Sequence, residues 1–477
     1  MTGSPGPDNL SGPVVFILDA AHQVDEDLLR AWLDKAAPPS PPGDITRVVV
    51  PIVRNPENIP SGALLKAARA PDDTLFVPLR VVWKTSVDAK DASPRLRDLL
   101  AGNPSRPSAA RARRILHKHP EQIAYIAAEP ATLGVMKERY TLRRAEEPSP
   151  EQLADYVAGQ AGLALDIAER KLRGSRYKVP RQVANYLQAR PRFKEAVADI
   201  SRETGKPVEE LQRESAEIMK ELISIPNTFW LDVMGVFNRY MINLGYETEM
   251  VIDQETLAHI RNITRENPSA LLWTHKTHVD GFAMHSTFLE NDFPAPHILG
   301  GVNMAFGGLG YVARRAGAIF IRRSFQGNPL YKMILRQYLG YLLEKRFPLT
   351  WAFEGTRSRV GKLMPPRYGL LKYVLEAAHK SGAEDLHIIP VAINYDLIGD
   401  VSDYATEQAG ASKQPESLKW FIGYLRGLRQ PMGRIYVDIG DPVVLPRAPD
   451  PEDKRALQKI AFQVGVEVNK VTPITLA

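Results

Sequence analysis

From Pro226 onward, short apolar runs alternate with stretches of helical spacing, and this alternation constrains the fold more than any other feature of the chain. Residues 271–274 (LLWT), 318–321 (AIFI), 349–353 (LTWAF), 387–394 (HIIPVAIN) and 434–439 (RIYVDI) have the length and composition of strands. Residues 330–345 and 370–379 lie between them and repeat their apolar side chains as helices do. That order predicts an α/β fold, a mixed and mostly parallel sheet flanked by helices. Pro390 falls inside one run, and a proline cannot donate to a sheet ladder, so an edge or irregular strand bordering a pocket is expected there. A plain buried strand is the other reading.

The preceding half has a different texture. Residues 13–20, 47–53 and 74–83 are β-branched apolar runs separated by Pro- and Gly-rich breaks, so 1–149 reads as an N-terminal α/β region. Residues 150–225 read as helical, with a helix over 211–223 behind a cap at Thr204. They carry a basic cluster of Arg170, Lys171, Arg173, Arg176, Lys178 and Arg181, whose ordinary fate is a solvated helix face and whose sharper reading is contact with an anionic surface. The domain expectation is therefore 1–149, 150–225 and 226–477.

The chemistry available is bounded by what is missing. Among the 477 residues there is no cysteine, which removes disulfides, thiolate nucleophiles, acyl-thioester enzyme intermediates and Cys-bound metals. No Gly-x-Ser-x-Gly elbow and no dinucleotide-binding Gly-x-Gly-x-x-Gly after a strand occurs. Residues 1–12 show no secretory pattern, and no run reaches the ~18 apolar residues that a spanning helix needs. The net charge of +6 favours anionic partners, but no nucleic-acid-binding module is present.

Four blocks carry candidate chemistry. In LLWTHKTHVDG, His275 is followed five positions later by Asp280. On one continuous helix these side chains would stand about 140° apart. They meet only if His275 lies on a turn after the strand and Asp280 in the first turn of the next helix. Asp280 would then hold one imidazole nitrogen and leave the other free to take a proton from an alcohol. His278 and His285 raise a metal reading, but no third ligand has a recognisable spacing, and no metal is expected. In GAIFIRR, Arg322 and Arg323 should point to opposite sides of a strand end, so one can face a phosphate while the other is structural. In WAFEGTRSRVGK, the strand meets Glu354 and Gly355, then Arg357, Ser358, Arg359 and Lys362, which are the parts of an oxyanion cradle. Glu354 there would bind substrate hydroxyls, hold an arginine or remain a solvated counter-charge. The fourth block is HIIPVAINYD.

Taken in order, these blocks resemble the glycerol-3-phosphate acyltransferase family, in particular its large bacterial membrane-associated branch. HKTHVD is similar to the family's His-x4-Asp block, with Lys276 and Thr277 where Arg and Ser are more usual. GAIFIRR, FEGTRSR and IIPVAINYD resemble the second, third and fourth blocks, and GRIYVDIGDPVVL and VNKVTPITLA resemble later segments. The resemblance implies an acyltransferase-type domain over 226–477 and an acyl donor that is acyl-CoA or an acyl carrier protein. It implies sn-glycerol 3-phosphate as acceptor, 1-acylglycerol 3-phosphate as product, and no cofactor. It makes His275 the base and Asp280 its partner. Arg323, Glu354, Gly355, Arg357 and Ser358 are placed at the acceptor, and Gly317, Phe320 and Pro390 at the acyl donor or pocket. Members of that branch often continue past the position at which this chain ends. Dihydroxyacetone phosphate or lysophosphatidate as acceptor, and a non-catalytic lipid-binding protein, stand as alternatives. The expected location is the cytoplasmic side of the cell membrane, peripherally bound to its anionic surface through residues 229–246 and 419–429.

Overall fold

A computed structural model describes residues 13–36, 45–50, 62–85, 94, 96–144, 146–302, 308–322, 327–401, 404 and 418–473. The chain forms two compact units, Met1–Gly174 and Ser175–Ala477.

The first unit runs β1 (Val14–Asp19), α1 (Gln23–Ala36), β2 (Ile45–Val49), α2 (Gly62–Ala67), β3 (Leu75–Trp83), α3 (Leu96–Leu100) and α4 (Ala109–Lys118). It continues with β4 (Ile123–Ala127), β5 (Ala131–Thr132), α5 (Leu133–Arg144) and α6 (Pro150–Arg173). The strand order is β2-β1-β3-β4, with β5 also on β3; β1 is parallel to β2 and β3, whereas β4 is antiparallel. A capping box between Ser149 and Gln152, with Pro150 at the first helical position, starts α6. Its Ala154, Val157 and Ala161 pack with Ile17 and Phe76 of the sheet. Buried ion pairs add to this contact: Arg80 Nε reaches Asp19 at 2.5 Å, and its NH1 reaches Asp166 at 2.8 Å and Glu169 at 2.9 Å.

This attachment revises two expectations. The helical stretch 150–225 is not a region of its own, because α6 belongs to the first unit and the rest to the second. The basic cluster is not a continuous face either. Arg173 is buried on Glu169 at 2.6 Å and donates to the Trp83 carbonyl at 2.7 Å. Arg176 is buried, and Lys178 Nζ donates to the Lys345 and Arg346 carbonyls at 2.6 and 2.8 Å.

The second unit opens with α7 (Val183–Ala189), α8 (Pro191–Thr204), α9 (Val208–Leu222), α10 (Thr228–Ile242) and α11 (Gln254–Glu266). Thr204 closes α8 rather than capping α9, its hydroxyl donating to the Ile200 carbonyl at 2.6 Å. There follow β6 (Ser269–Trp273), α12 (Asp280–Glu290), β7 (His297–Gly301), α13 (Leu309–Arg315), β8 (Ala318–Ile321), α14 (Pro329–Glu344) and β9 (Leu349–Ala352). The chain then forms α15 (Tyr368–Ser381), β10 (Glu384–Tyr395), α16 (Leu418–Gly427), β11 (Ile435–Ile439), β12 (Val443–Arg447) and α17 (Lys454–Val471). The sheet order is β11-β10-β6-β9-β7-β8, with β12 also on β10; β10, β6, β9, β7 and β8 are parallel, and β11 and β12 are antiparallel to β10.

Both faces of this sheet are covered, which is why β6 is apolar at nearly every position. Ala270 and Leu272 pack with α14, α15 and α17 on one face, while Leu271 and Trp273 pack with α10, α11 and α12 on the other. Pro390 is not on an edge strand, since β10 lies between β6 and the β11/β12 pair. It fits because β12 pairs residues 384–388 and β11 pairs residues 391–395, leaving Pro390 at the changeover. Its carbonyl accepts from Gly440 N at 3.0 Å, so the missing N–H also faces that gap, where no ladder partner requires it.

Two buried histidines make this unit acid-sensitive. Burial pushes His285 down to about 4 and His297 down to about 3, and neither side chain is more than 2% exposed. Each stays neutral in the fold but takes up a proton when unfolded near its ordinary value of about 6.5. Their contribution is therefore complete above that value and is lost as pH falls toward the folded values. Each group should remove about 1.4 kcal/mol of stability per pH unit across that window. Both ring nitrogens of His297 are buried without a partner among the described residues, and the ring sits edge-on to Phe347 at 5.3 Å. His297→Phe should thus hold or raise the melting temperature at pH 7 and flatten its decline between pH 6 and 4. An unchanged slope in pH-dependent melting would show that His297 is not a source of the loss.

Candidate active site

The site lies where β6 and β9, neighbours in the parallel sheet, end side by side, with Trp273 opposite Ala352. The carboxyl ends of parallel strands are where α/β sheets open to ligands. Thr274 continues the pairing, its N–H donating to the Val391 carbonyl at 3.0 Å and its hydroxyl accepting from Ile393 N at 2.9 Å. The chain then turns, so His275 stands on the turn and Asp280 is the first residue of α12. This is the arrangement that the five-residue spacing requires.

His275 Nδ1 lies 2.8 Å from Asp280 Oδ2, with 26% of the His275 side chain exposed and none of the Asp280 side chain. The same carboxylate oxygen accepts from Lys276 N at 2.6 Å and Thr277 N at 3.0 Å. These donors, at the positive end of α12, fix the carboxylate beside the imidazole. A carboxylate on Nδ1 selects the tautomer whose Nε2 is an acceptor, and Nε2 has no protein partner among the described residues.

The segment after β9 holds His275 in place. Glu354 is 1% exposed; its Oε1 accepts from His275 N at 2.7 Å and its Oε2 from Met364 N at 2.8 Å. Burial raises its carboxyl above the ordinary range, and these two backbone donors oppose that shift. Ser358 N donates to the His275 carbonyl at 2.6 Å, while the Ser358 hydroxyl donates to the Lys362 carbonyl at 2.6 Å. Both peptide groups flanking His275 are thus anchored to this one loop. Gly355 has φ 65°, and a Cβ there would come within 2.6 Å of the Arg367 side chain, so the turn requires glycine.

Several expected contacts are differently placed. Glu354 braces backbone instead of holding an arginine or opening toward a hydroxyl. Arg357 is 7% exposed and donates to Asp400 Oδ1 at 3.3 Å, with its guanidinium 5.4 Å from the Tyr404 ring. Tyr404 in turn donates to the Lys276 carbonyl, so Arg357 shares a buried cluster with the turn that carries His275. Arg322 is the structural member of its pair, donating twice to Glu221, at 2.9 and 2.5 Å. Arg323 lies outside the described residues. Gly317 has φ 106°, and a Cβ there would meet the Pro296 carbonyl at 2.8 Å, which makes its role one of backbone fit. Phe320 is buried on β8, at the end of the sheet. His285 hydrogen-bonds through Nδ1 to Asn238 at 2.7 Å, inside the α10–α12 contact. Among the described residues, no three His, Cys, Asp or Glu side chains gather as a metal site.

Four further groups stand beside the site that sequence did not place there, among them Tyr424, which was expected at a membrane interface. Lys276 is buried, hydrogen-bonds to Asn394, and has its amine pulled down by burial against the charge of Asp280. Tyr395 donates to Asp280 Oδ1 at 2.5 Å. Asp400 is buried with its carboxyl raised by burial. Tyr424 of α16 places its hydroxyl 3.2 Å from that of Thr277. The polar end of HIIPVAINYD was the available signal for Tyr395.

Of the two expected membrane contacts, α10 turns its polar residues inward. Asp232 accepts from the Tyr177 hydroxyl at 2.7 Å, and Tyr240 is 55% exposed. The side chains of Lys419, Trp420 and Phe421 lie outside the described residues. Among the described residues, no helix is long and apolar enough to cross a membrane.

Residues 255–394 match the family model described as Acyltransferase, and residues 404–477 match that of the glycerol-3-phosphate acyltransferase C-terminal region. A Mycobacterium bovis protein named as acyltransferase plsB1 is 29% identical over 289 residues, covering 59% of this chain and 46% of the relative. A glycerol-3-phosphate acyltransferase of Pasteurella multocida is 28% identical over 305 residues, covering 60% of this chain and 37% of the relative. The chain therefore spans less than half the length of these curated relatives. Among solved structures, a 1-acyl-sn-glycerophosphate acyltransferase of Thermotoga maritima is similar over 52% of this chain and 82% of that chain, with a TM-score of 0.32 and 15% identity.

Proposed function

Since the chain belongs to the glycerol-3-phosphate acyltransferase family, we propose that it moves a fatty acyl group from a thioester, acyl-CoA or acyl carrier protein, to the 1-hydroxyl of sn-glycerol 3-phosphate. The observation that carries this reading is the His275–Asp280 pair, with its outer imidazole nitrogen unpartnered at the open end of a parallel sheet. His275 Nε2 takes the hydroxyl proton as the acceptor oxygen attacks the thioester carbonyl. The tetrahedral intermediate collapses, the C–S bond breaks, and the imidazolium returns the proton to the departing thiolate. Asp280 stabilises the imidazolium throughout. No covalent enzyme intermediate is needed, consistent with a chain that lacks cysteine. The test is product identification by mass spectrometry after incubation with palmitoyl-CoA and each acceptor in turn. Palmitoylglycerol 3-phosphate is expected in preference to the products of dihydroxyacetone phosphate or lysophosphatidate. Preference for either of those would reassign the acceptor, and product from none would favour a non-catalytic lipid-binding role.

The acylated product is a lipid, and the proposed location is the cytoplasmic surface of the cell membrane, bound peripherally. On α10 and α13, Trp230 stacks edge-on against Tyr311 at 5.7 Å, and the Arg315 guanidinium lies 3.4 Å from the Tyr311 ring centroid. Exposed aromatics beside a cation suit the headgroup region. Flotation with anionic liposomes should recover the protein at low salt and lose it at high salt. Tyr240→Ser with Tyr311→Ser should weaken recovery. Recovery that survives both would place the contact elsewhere.

A further inference from the structure

Asp280 accepts more hydrogen bonds than an imidazole partner alone would require. Its Oδ2 faces His275 Nδ1 and the N–H groups of Lys276 and Thr277. Its Oδ1 accepts from the Tyr395 hydroxyl at 2.5 Å. Tyr395 ends β10, the strand beside β6, and continues a row in which Ile389, Val391 and Ile393 are fully buried against the α12 side. Along such a row an apolar side chain would satisfy packing. The hydroxyl adds one thing that packing does not need, a donor to the second oxygen of a carboxylate with no water access. We infer that Tyr395 is a positioning residue for the proton transfer: it fixes the carboxylate plane of Asp280 and tempers its hold on the His275 proton. This inference rests on His275 acting as the base.

Removing the Tyr395 donor leaves the Asp280 carboxylate less satisfied, so it attracts a proton on His275 more strongly, and the imidazolium persists to higher pH. A base must be neutral to act, so the acidic limb of the pH–rate profile moves upward. Among the described residues, the other charged and titratable groups around the pair are Lys276 on the turn, Glu354 after β9, Arg357, Asp400 and Tyr404 in the buried cluster, and Tyr246 and Tyr424. None of these loses a partner when Tyr395 becomes phenylalanine, since the ring that meets Tyr246 at 5.3 Å is retained.

The test compares Tyr395→Phe with Tyr246→Phe, whose hydroxyl donates at 3.0 Å to the Leu397 carbonyl and not to Asp280. Loss of a hydrogen bond to a charged group should lower kcat of Tyr395→Phe by about 10–100-fold. The Michaelis constants for glycerol 3-phosphate and acyl-CoA should stay near wild type, and the acidic limb should move up by at least about half a pH unit. The His275 imidazole, followed by NMR without substrate and identified by its loss in His275→Ala, should titrate at correspondingly higher pH. Tyr246→Phe should leave the limb and the titration in place. If Tyr395→Phe leaves both unmoved, or moves them no more than Tyr246→Phe does, Tyr395 is a packing residue and the inference fails. That result would not touch the assignment of His275, which fails separately if His275→Ala remains active.

Discussion

His275→Ala should lower acyl transfer by about 10²–10⁴-fold while leaving the fold intact. A general base contributes on that scale, because an alcohol holds its proton at neutral pH and is a poor nucleophile until a neighbour accepts it. The His275 imidazole pairs one nitrogen with a fully buried carboxylate and leaves the other without a hydrogen bond among the described residues. The fold should survive because His275 is anchored through its peptide groups, to Glu354 on one side and Ser358 on the other, and alanine keeps both contacts. Its side chain is 26% exposed, so little core is lost. Steady-state kinetics with acyl-CoA and glycerol 3-phosphate check this, alongside a melting curve. A variant that is folded and keeps more than about a tenth of the wild-type rate would remove His275 from the mechanism.

Glu354→Gln should give the second-largest loss, and the pattern of that loss matters more than its size. Each carboxylate oxygen of the buried Glu354 accepts from a backbone N–H, one on His275 and one on Met364. An amide presents one oxygen and one NH2 group, so a donor must face a donor at one of the two contacts. Hydrogen bonds to charged groups are worth about 1.5–3 kcal/mol, and an unmade buried one costs a similar amount. The melting temperature should fall, and kcat should drop about 10–100-fold because the turn that carries His275 is no longer held at the strand ends. The Michaelis constant for glycerol 3-phosphate should change little. A residue that binds the acceptor would behave oppositely, raising that constant with the stability unchanged.

How much of this was legible in the sequence follows from where the information resides. The strands that carry the site were visible because burial on both faces makes them apolar throughout, as in LLW and LTWA. The spacing of His275 and Asp280 only allows their contact, through a strand–turn–helix and not along a continuous helix, and the family resemblance is what implies the pairing. β7 was missed because HILGG has two glycines and one histidine in five positions, and β12 because VVLPR carries a proline. Pro390 points to an edge or irregular strand, or to a plain buried one; the strand is internal, and β11 and β12 exchange places beside it and remove the demand for its N–H.

The roles of charged residues were the least legible part. Sequence shows that Glu354, Arg357 and Arg322 are charged, but not which partner lies across the fold. Glu354 finds two backbone donors, Arg357 finds Asp400 and Arg322 finds Glu221, at separations of up to 101 residues. The six basic residues of 170–181 were scattered for the same reason, with Arg173 taken by Glu169 and Lys178 by the carbonyls after α14. Local patterning predicts elements well, whereas a long-range polar contact leaves no periodic trace.

The central claim is direct transfer from a thioester to a phosphorylated acceptor with His275 as base. The most direct measurement follows free thiol from palmitoyl-CoA on a rapid time scale, with enzyme in stoichiometric amount, before and after glycerol 3-phosphate is added. The account predicts no thiol beyond background until the acceptor is present, then release matching lysophosphatidate formed, and no release by His275→Ala under either condition. Release in a burst equal to the enzyme before acceptor is added, or release indifferent to glycerol 3-phosphate, would contradict it.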